Sequence, residues 1–164
     1  MNATTYARQQ LEQIFGLVDA AAGGMDDAQY NWDPAGTCNS ASKSHVHMLT
    51  SLDFFINAKV RGQDLAWSTF APANGLPANP LEVWNHSGAI SQAAVAEYGK
   101  GLQKSVLEYV SSLSDADLDK EVDTQFFGTK SIAFVLQLAA MHCAGHAGDV
   151  SAVKGMQGLK GIPF

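Results

Sequence analysis

The chain has 164 residues, of which 46% are hydrophobic and 16% are charged, and its formal net charge is −6. These values are typical of one globular domain, here spanning residues 1–164, with a low-charge surface. The acidic balance argues against binding to nucleic-acid phosphates, which requires clustered Lys and Arg. No uninterrupted run of about 18 apolar residues is present, so the sequence predicts no membrane-spanning helix.

The amino terminus, MNATTYARQQLEQIFG, lacks the basic start and apolar centre of a secretory signal, so a cytoplasmic location is expected. The two cysteines, Cys38 and Cys143, are too few for a disulfide framework and too far apart for a CxxC motif. A bridge between them is disfavoured because disulfides are rare in the cytosol.

Hydrophobic periodicity predicts four long helices and no convincing strand. The first helix runs roughly over Thr4–Ala22. The second begins near Asn39 or Ser40, both of which are good N-cap residues. It continues to about Arg61 and stops at Gly62, a residue type that commonly follows a helix.

The connection over residues 63–85 is expected to be irregular, because it contains three prolines. A connection of this length is unusual inside a compact domain, and it often crosses a bundle or covers a site. Its aromatic residues Trp67, Phe70 and Trp84 could shape a substrate mouth, but pinning the connection to the bundle is the favoured interpretation.

The third predicted helix is capped near Ser87 and runs to about Leu113, with Tyr98 on its core stripe. The last helix begins near Thr129–Ser131 and runs to about Gly155. Four helices with one long connection between the second and third predict an all-α fold, a four-helix bundle with a crossover.

The most informative motif is a pair of histidines, His142 and His146, on the last predicted helix. Side chains four residues apart are neighbours on a helix and can reach a common metal ion. A helical wheel places both on the stripe of Val135 and Val150, which predicts that they point into the bundle. A lone pair of histidines at this spacing more often consists of hydrogen-bonded core residues than of metal ligands. A third histidine nearby would favour the metal site.

Two histidines near the start of the second helix could supply that third side chain. His45 and His47 point about 160° apart, so only one can face a given partner. His45 lies among large aliphatic residues such as Leu49 and Leu52, whereas His47 lies among small residues that leave room for a metal and a substrate. The wheel alone leaves the choice open, and the small surroundings favour His47. His86, before the third helix, is expected to be a solvated or capping residue.

Two segments resemble the DinB-like (DinB/YfiT) superfamily of metal-dependent bundle proteins. The first is LEQIFGLVDAAAGGMDDAQYNWDPAGTCNS, which is similar to the family's first helix and loop. In the family pattern Asn39, His47 and Gly62 fit the spacing around the second helix, so the resemblance selects His47 over His45. The second is HCAGHAGDVSAVKGMQGLKGIPF, which is similar to an HxxxHxGE segment followed by a KGxQGxKGxPF tail, with Asp149 where Glu or Gln is frequent.

The resemblance implies a divalent metal ion held by His47, His142 and His146, often in a homodimer. Zinc is the first expectation, with nickel, iron or manganese as alternatives. Some relatives are thiol S-transferases that use bacillithiol, mycothiol or glutathione, or a mycothiol-dependent isomerase. The implied partners are therefore a small-molecule thiol and an electrophile. Ala140 and Ala144, expected on the outer side of the last helix, add weak support for a dimer.

Three neutral imidazoles would leave a metal site with its full positive charge and an open position. That charge lowers the pKa of a bound water to about 7, or deprotonates a bound thiol. The expected function is therefore a metal-dependent thiol S-transferase or a hydrolase. The alternative is a noncatalytic, stress-associated homodimer in which the ion only joins two helices, although structural zinc sites normally have four protein ligands.

Two further residues of the last helix complete the expectations. Asp149 faces the same way as the histidine pair, so it could orient a ligand imidazole, act as a fourth ligand or have a structural role. If Asp149 takes part in catalysis, its expected role is that of a general base. Cys143 points about 100° away from His142 and is expected to be a buried small hydrophobic residue.

Overall fold

Side-chain caps define where each long helix begins. A computed structural model describes residues 1–162, so Pro163 and Phe164 of the expected tail lie outside the described residues. Its helices are α1 (Ala3–Ala22), α2 (Asp27–Tyr30), α3 (Ala41–Leu52), α4 (Trp67–Ala73), α5 (Gln92–Ser112) and α6 (Ile132–Met156). The side chains of the four residues that precede the long helices each accept a hydrogen bond from a backbone N–H of the first turn; these caps are Asn2, Ser40, Ser91 and Ser131.

The four long helices form the predicted bundle around a continuous apolar core. Helix α1 packs against α5 and α6, and α3 packs against the same two helices. The buried side chains at the centre include Leu11, Val46, Leu49, Val95, Val106, Val135 and Val150. The all-α four-helix architecture expected from periodicity is therefore confirmed. Within residues 1–162, no helix is both long and apolar enough to cross a membrane.

The N-cap of α5 lies four residues later than predicted, at Ser91 instead of Ser87. The physical reason is a tertiary contact that holds the preceding residue outside the helix. The Asn31 side chain donates to the carbonyl oxygen of Ile90 and accepts from the N–H of Ile90, each at 2.9 Å. Ile90 is buried, so this pairing satisfies both of its backbone groups away from water.

A short antiparallel hairpin, absent from the expected fold, precedes α6. Its strands are β1 (Glu121–Asp123) and β2 (Thr129–Ser131), and Val122 pairs with Lys130. Three-residue strands are too short to show the alternation on which a strand prediction depends. The crossover over residues 63–85 is also more regular than expected, because it contains α4 and a 3₁₀ turn over Pro80–Asn85.

Helix α3 continues as a π-helical segment, Asp53–Val60, before Gly62 ends it with a φ of 64°. Asp53 is fully buried at the start of this segment. Its carboxyl oxygens accept hydrogen bonds from the Asn57 side chain at 2.6 Å, the Trp67 backbone N–H at 2.9 Å and the Tyr98 hydroxyl at 2.9 Å. One side chain thus joins the π-helical segment, the crossover and α5.

The aromatic residues of the crossover mostly pin it to the bundle, as the favoured interpretation predicted. Trp67 is buried and donates its indole N–H to the Pro77 carbonyl oxygen at 3.0 Å. The ring of Phe70 stacks on Tyr98 with centroids 4.9 Å apart. Trp84 is the exception, because its ring lies 4.8 Å from that of His47.

We expect Asp53→Ala to lower the free energy of unfolding by about 3 kcal/mol, because buried donors would lose their acceptor. Thermal or urea denaturation measures this loss. Asp64→Ala is the matched control, since Asp64 is an exposed carboxylate beside the same crossover and should change stability by less than about 0.5 kcal/mol. Equal effects of the two substitutions would contradict the role of Asp53.

Candidate metal centre

The buried side of α6 combines small residues with large aliphatic ones. Ala139, Ala140, Cys143 and Ala147 all lie in the core, where α6 packs between α1 and α3. The expectation that Ala140 lies on the outer side of the helix was therefore wrong, so this residue gives no support for a dimer. Cys143 is buried and free, as predicted, and burial raises the pKa of its thiol to about 12. Cys38 is free as well.

His142 and His146 lie on the flank of this buried side and are half-buried. The histidines share the stripe of Val135, as predicted, but they lie at the edge of the bundle and are not fully buried in it. Val135 and Val150, which oriented the wheel, are indeed buried, but the buried side also extends away from the histidines through Cys143 and Ala147. The flank position leaves both imidazoles within reach of His47 on α3, and it leaves His142 beside a cavity.

The structure brings His47 to the histidine pair. Its ring centroid lies 5.0 Å from that of His142 and 4.8 Å from that of His146, and the pair itself is 4.5 Å apart. One ring nitrogen from each residue lies within 4.8 Å of the other two. Three imidazole nitrogens at this separation could hold one metal ion between them.

The competing candidate, His45, lies elsewhere. It is buried, and its Nδ1 lies 3.0 Å from the hydroxyl oxygen of Tyr30. Burial lowers the pKa of His45 to about 4. His45 is thus a hydrogen-bonded core histidine, the alternative that the wheel left open. His86 is also outside the group, since it follows the 3₁₀ turn and donates its backbone N–H to the Val83 carbonyl oxygen.

Asp149 orients one of the three imidazoles. Nδ1 of His146 donates to a carboxyl oxygen of Asp149 at a distance of 2.8 Å. This hydrogen bond fixes the tautomer and leaves the lone pair of Nε2 available to a cation. The Asp149 side chain is 59% exposed, so it reaches the imidazole from the solvent side of α6.

The remaining ring nitrogens also suit a cation. Among the described residues, Nδ1 of His142 is buried and has no hydrogen-bond partner. A buried polar atom without a partner costs free energy, and a bound cation would add a partner for the imidazole group. Neutral imidazole nitrogen is a common ligand for zinc, nickel and iron, so the chemistry of the donors fits a divalent transition metal.

The protonation state of the group favours metal binding. Burial, together with the neighbouring His146, lowers the pKa of His47 to about 4. Burial likewise lowers the pKa of His142 to about 4, with contributions from His146 and His47. Both imidazoles are therefore neutral near pH 7, which is the form that binds metals.

An apolar cavity of about 480 Å³ opens beside His47 and His142. Its apolar walls come from the π-helical segment, the crossover, the hairpin and α6; they are Phe54, Phe55, Leu65, Pro80, Leu81, Phe126, Phe127 and Leu138. None of these residues was expected to line the site. The available signal for an apolar site was the occurrence of two Phe-Phe pairs, at positions 54–55 and 126–127. Nothing in the sequence, however, places these two pairs together.

The fold and the site define an all-α bundle protein with a three-histidine group that could hold a metal ion. The sequence matches the DinB superfamily over residues 10–150. Because this match covers most of the chain, the protein belongs to the DinB superfamily.

Two solved structures share the fold. The first, a conserved protein from Enterococcus faecalis, is 18% identical with a TM-score of 0.77, and the match covers 94% of this chain and 96% of that one. The second, a DinB-like protein from Bacillus subtilis, is 21% identical with a TM-score of 0.67, and the match covers 97% and 96%. No curated protein matches the sequence.

We expect His47 and His142 to stay neutral in the metal-free protein until the pH falls to about 4, well below the ordinary value of about 6.5. Since the folded-state pKa values are depressed, the stability that these neutral forms contribute is present above pH 6.5 and is lost as the pH falls through 4. NMR titration of the imidazoles measures the first effect and denaturation against pH the second.

A His47→Gln, His142→Gln double variant is the control for this titration. The stability of this variant should depend less on pH between 6.5 and 4. The part of the pH dependence that comes from His45 should remain, because His45 also has a pKa of about 4. Titration of both wild-type imidazoles near pH 6.5 would contradict the expected burial effect.

Proposed function

We propose that this protein is a divalent-metal-dependent enzyme in which His47, His142 and His146 hold the cation and leave a position for a substrate. The observation that carries the proposal is the convergence of three imidazoles beside an apolar cavity. The group contains three donors within residues 1–162, whereas a structural zinc site normally has four protein ligands. Zinc is the first candidate, followed by nickel, iron and manganese.

The reaction that this arrangement supports best is transfer of a thiol to an electrophile, with hydrolysis as the variant that uses water. A divalent cation in the site supplies positive charge that lowers the pKa of a thiol or water bound beside it. The sulfur then forms a bond to the electrophilic carbon, the leaving group departs with its electron pair, and the thiol proton passes to solvent.

The protein's own residues hold and orient the reactants. Neutral imidazoles leave the positive charge of the site uncompensated, which favours the thiolate. Asp149 fixes the ring of His146 through the 2.8 Å hydrogen bond. The cavity beside the group removes water from the reacting partners and keeps them close together. A homodimeric assembly and a cytoplasmic location stay predictions that belong to this proposal.

A noncatalytic role is the second candidate. His47 lies on α3 and the other two histidines lie on α6, so a bound cation would join two neighbouring helices and stabilise the bundle. In that case the metal would raise the melting temperature without supporting turnover. The open cavity beside the histidines favours the enzyme, because a purely structural ion gains nothing from access to substrate.

We expect protein purified without added metal to contain about one divalent cation per chain, measured by elemental analysis. His47→Gln, His142→Gln and His146→Gln should each lower that content severely, because two imidazoles bind a cation far more weakly than three. His86→Gln is the control and should retain the metal. Unchanged cation content after triple replacement of the three histidines by Ala would contradict the proposal.

We expect the metal-loaded protein to form thioether products from uncharged aryl or alkyl halides and a low-molecular-weight thiol, detected by mass spectrometry. Glutathione, bacillithiol, mycothiol and cysteine are the thiols to compare. A chelator should abolish product formation, and returning the metal should restore it. A metal that only raises the melting temperature, with no thiol-dependent product and no hydrolysis, would favour the noncatalytic role.

We expect Asp149→Ala to weaken metal binding about 10–100-fold, the usual effect of losing a carboxylate that orients a ligand imidazole. Asp149→Asn should recover part of the affinity, because its amide oxygen still accepts from His146. Metal titration measures both effects. If Asp149 were instead a general base, Asp149→Asn would keep the metal and abolish turnover, and retained turnover would reject that role.

A further inference from the structure

We infer that the substrate of this site carries its reacting group on an uncharged, apolar body, and that the hairpin residues Phe126 and Phe127 select it. The catalytic part of this inference rests on the proposed function, whereas the binding part does not. The cavity beside His47 and His142 is the observation from which it starts.

The lining of the cavity has no charged side chain among the described residues. Its polar members besides the two histidines are neutral; they are Thr50, Ser51, Asn79 and Gln125. A carboxylate, phosphate or ammonium group inside this cavity would lose its hydration without gaining an opposite charge. The walls therefore select against charged bodies and favour apolar ones.

Aromatic side chains meet across the cavity from two separate parts of the chain. Phe126 of the hairpin lies with its ring centroid 5.7 Å from that of Phe54, and Phe127 lies 6.3 Å from Phe55. The first residue of each pair belongs to the hairpin and the second to the π-helical segment. Offset aromatic walls of this kind bind flat apolar groups through stacking and edge contacts.

The hairpin rings are exposed although they are strongly apolar. Phe126 is 65% exposed and Phe127 is 47% exposed. Large exposed aromatic residues at the rim of a cavity mark a binding surface, since contact with an apolar ligand would remove them from water. Gln125, directly before them, has a φ of 69°, which is uncommon for a residue other than glycine. The turn thus holds an unfavourable backbone conformation where it presents these rings.

The size of the cavity limits the body to a small molecule. Its volume of about 480 Å³ lies within the range of small-molecule sites, which is roughly 300–1,000 Å³. A body of one or two fused rings, or an alkyl chain of similar volume, fits this space. Its reacting atom would lie toward His47 and His142, and any charged part of a co-substrate would stay outside the apolar walls.

The test compares probes of equal size that differ in charge: 2-naphthylmethanol, 2-naphthoate and 2-naphthylmethylammonium. Calorimetric titration uses the full chain freed of metal, so that a cation cannot hold the carboxylate, and then the zinc-loaded chain. We expect the neutral probe to bind at least about tenfold more tightly than either charged probe to the metal-free chain. Equal affinity for the charged probes would overturn the inference.

Variants of the rim locate the binding. Phe126→Ala combined with Phe127→Ala should weaken binding of 2-naphthylmethanol at least about tenfold, whereas Tyr6→Ala, which removes an exposed aromatic ring outside this cavity, should leave it unchanged. Leu81→Lys, at an exposed rim position, should weaken the neutral probe and strengthen 2-naphthoate. Unaltered binding in these rim variants would also overturn the inference.

Failure of this inference is distinguishable from failure of the proposed function. Selective binding of the neutral probe without thiol-dependent turnover or hydrolysis would reject the enzyme and keep the apolar site. Metal-dependent turnover with equal rates for charged and uncharged electrophiles, unaffected by the Phe126 and Phe127 substitutions, would keep the enzyme and reject the apolar site.

Discussion

Close packing of α6 against α3 is the contact on which the candidate site depends. Small side chains on α6, such as Ala139 and Ala147, share its buried side with Val135 and Val150 where it meets the neighbouring helices. Because this side faces the core, His142 and His146 lie at its edge. There they are close to His47 of α3. The three imidazoles meet as a consequence of how two helices pack, without a dedicated loop.

The partial burial of the histidines serves two requirements at once. Their surroundings are dry enough to lower the pKa of His47 and of His142 to about 4, so both stay neutral and able to bind a cation. The same flank position leaves them open to the cavity. Full burial, as at His45, gives an equally neutral imidazole, but one that is bonded to Tyr30 and not part of the group.

Local sequence patterns predicted what depends on local spacing, and tertiary contacts decided the rest. The HxxxH spacing was enough to pair His142 with His146, and the caps Ser40 and Ser131 were visible in the sequence. The choice of His47 over His45 needed a family resemblance, because it depends on which face of α3 meets α6. The start of α5 depends on Asn31, which is distant in sequence from Ile90, and the wall formed by Phe54 and Phe126 has the same long-range origin.

The π-helical segment links the stability of the fold to the shape of the cavity. A π-helix is rare and is frequently found at functional sites. Here Asp53 accepts hydrogen bonds from Asn57, Trp67 and Tyr98. The next two residues, Phe54 and Phe55, form one wall of the cavity. The hydrogen bonds of the buried carboxyl group therefore support the segment that carries this wall, and the wall lies in the same cavity as His47.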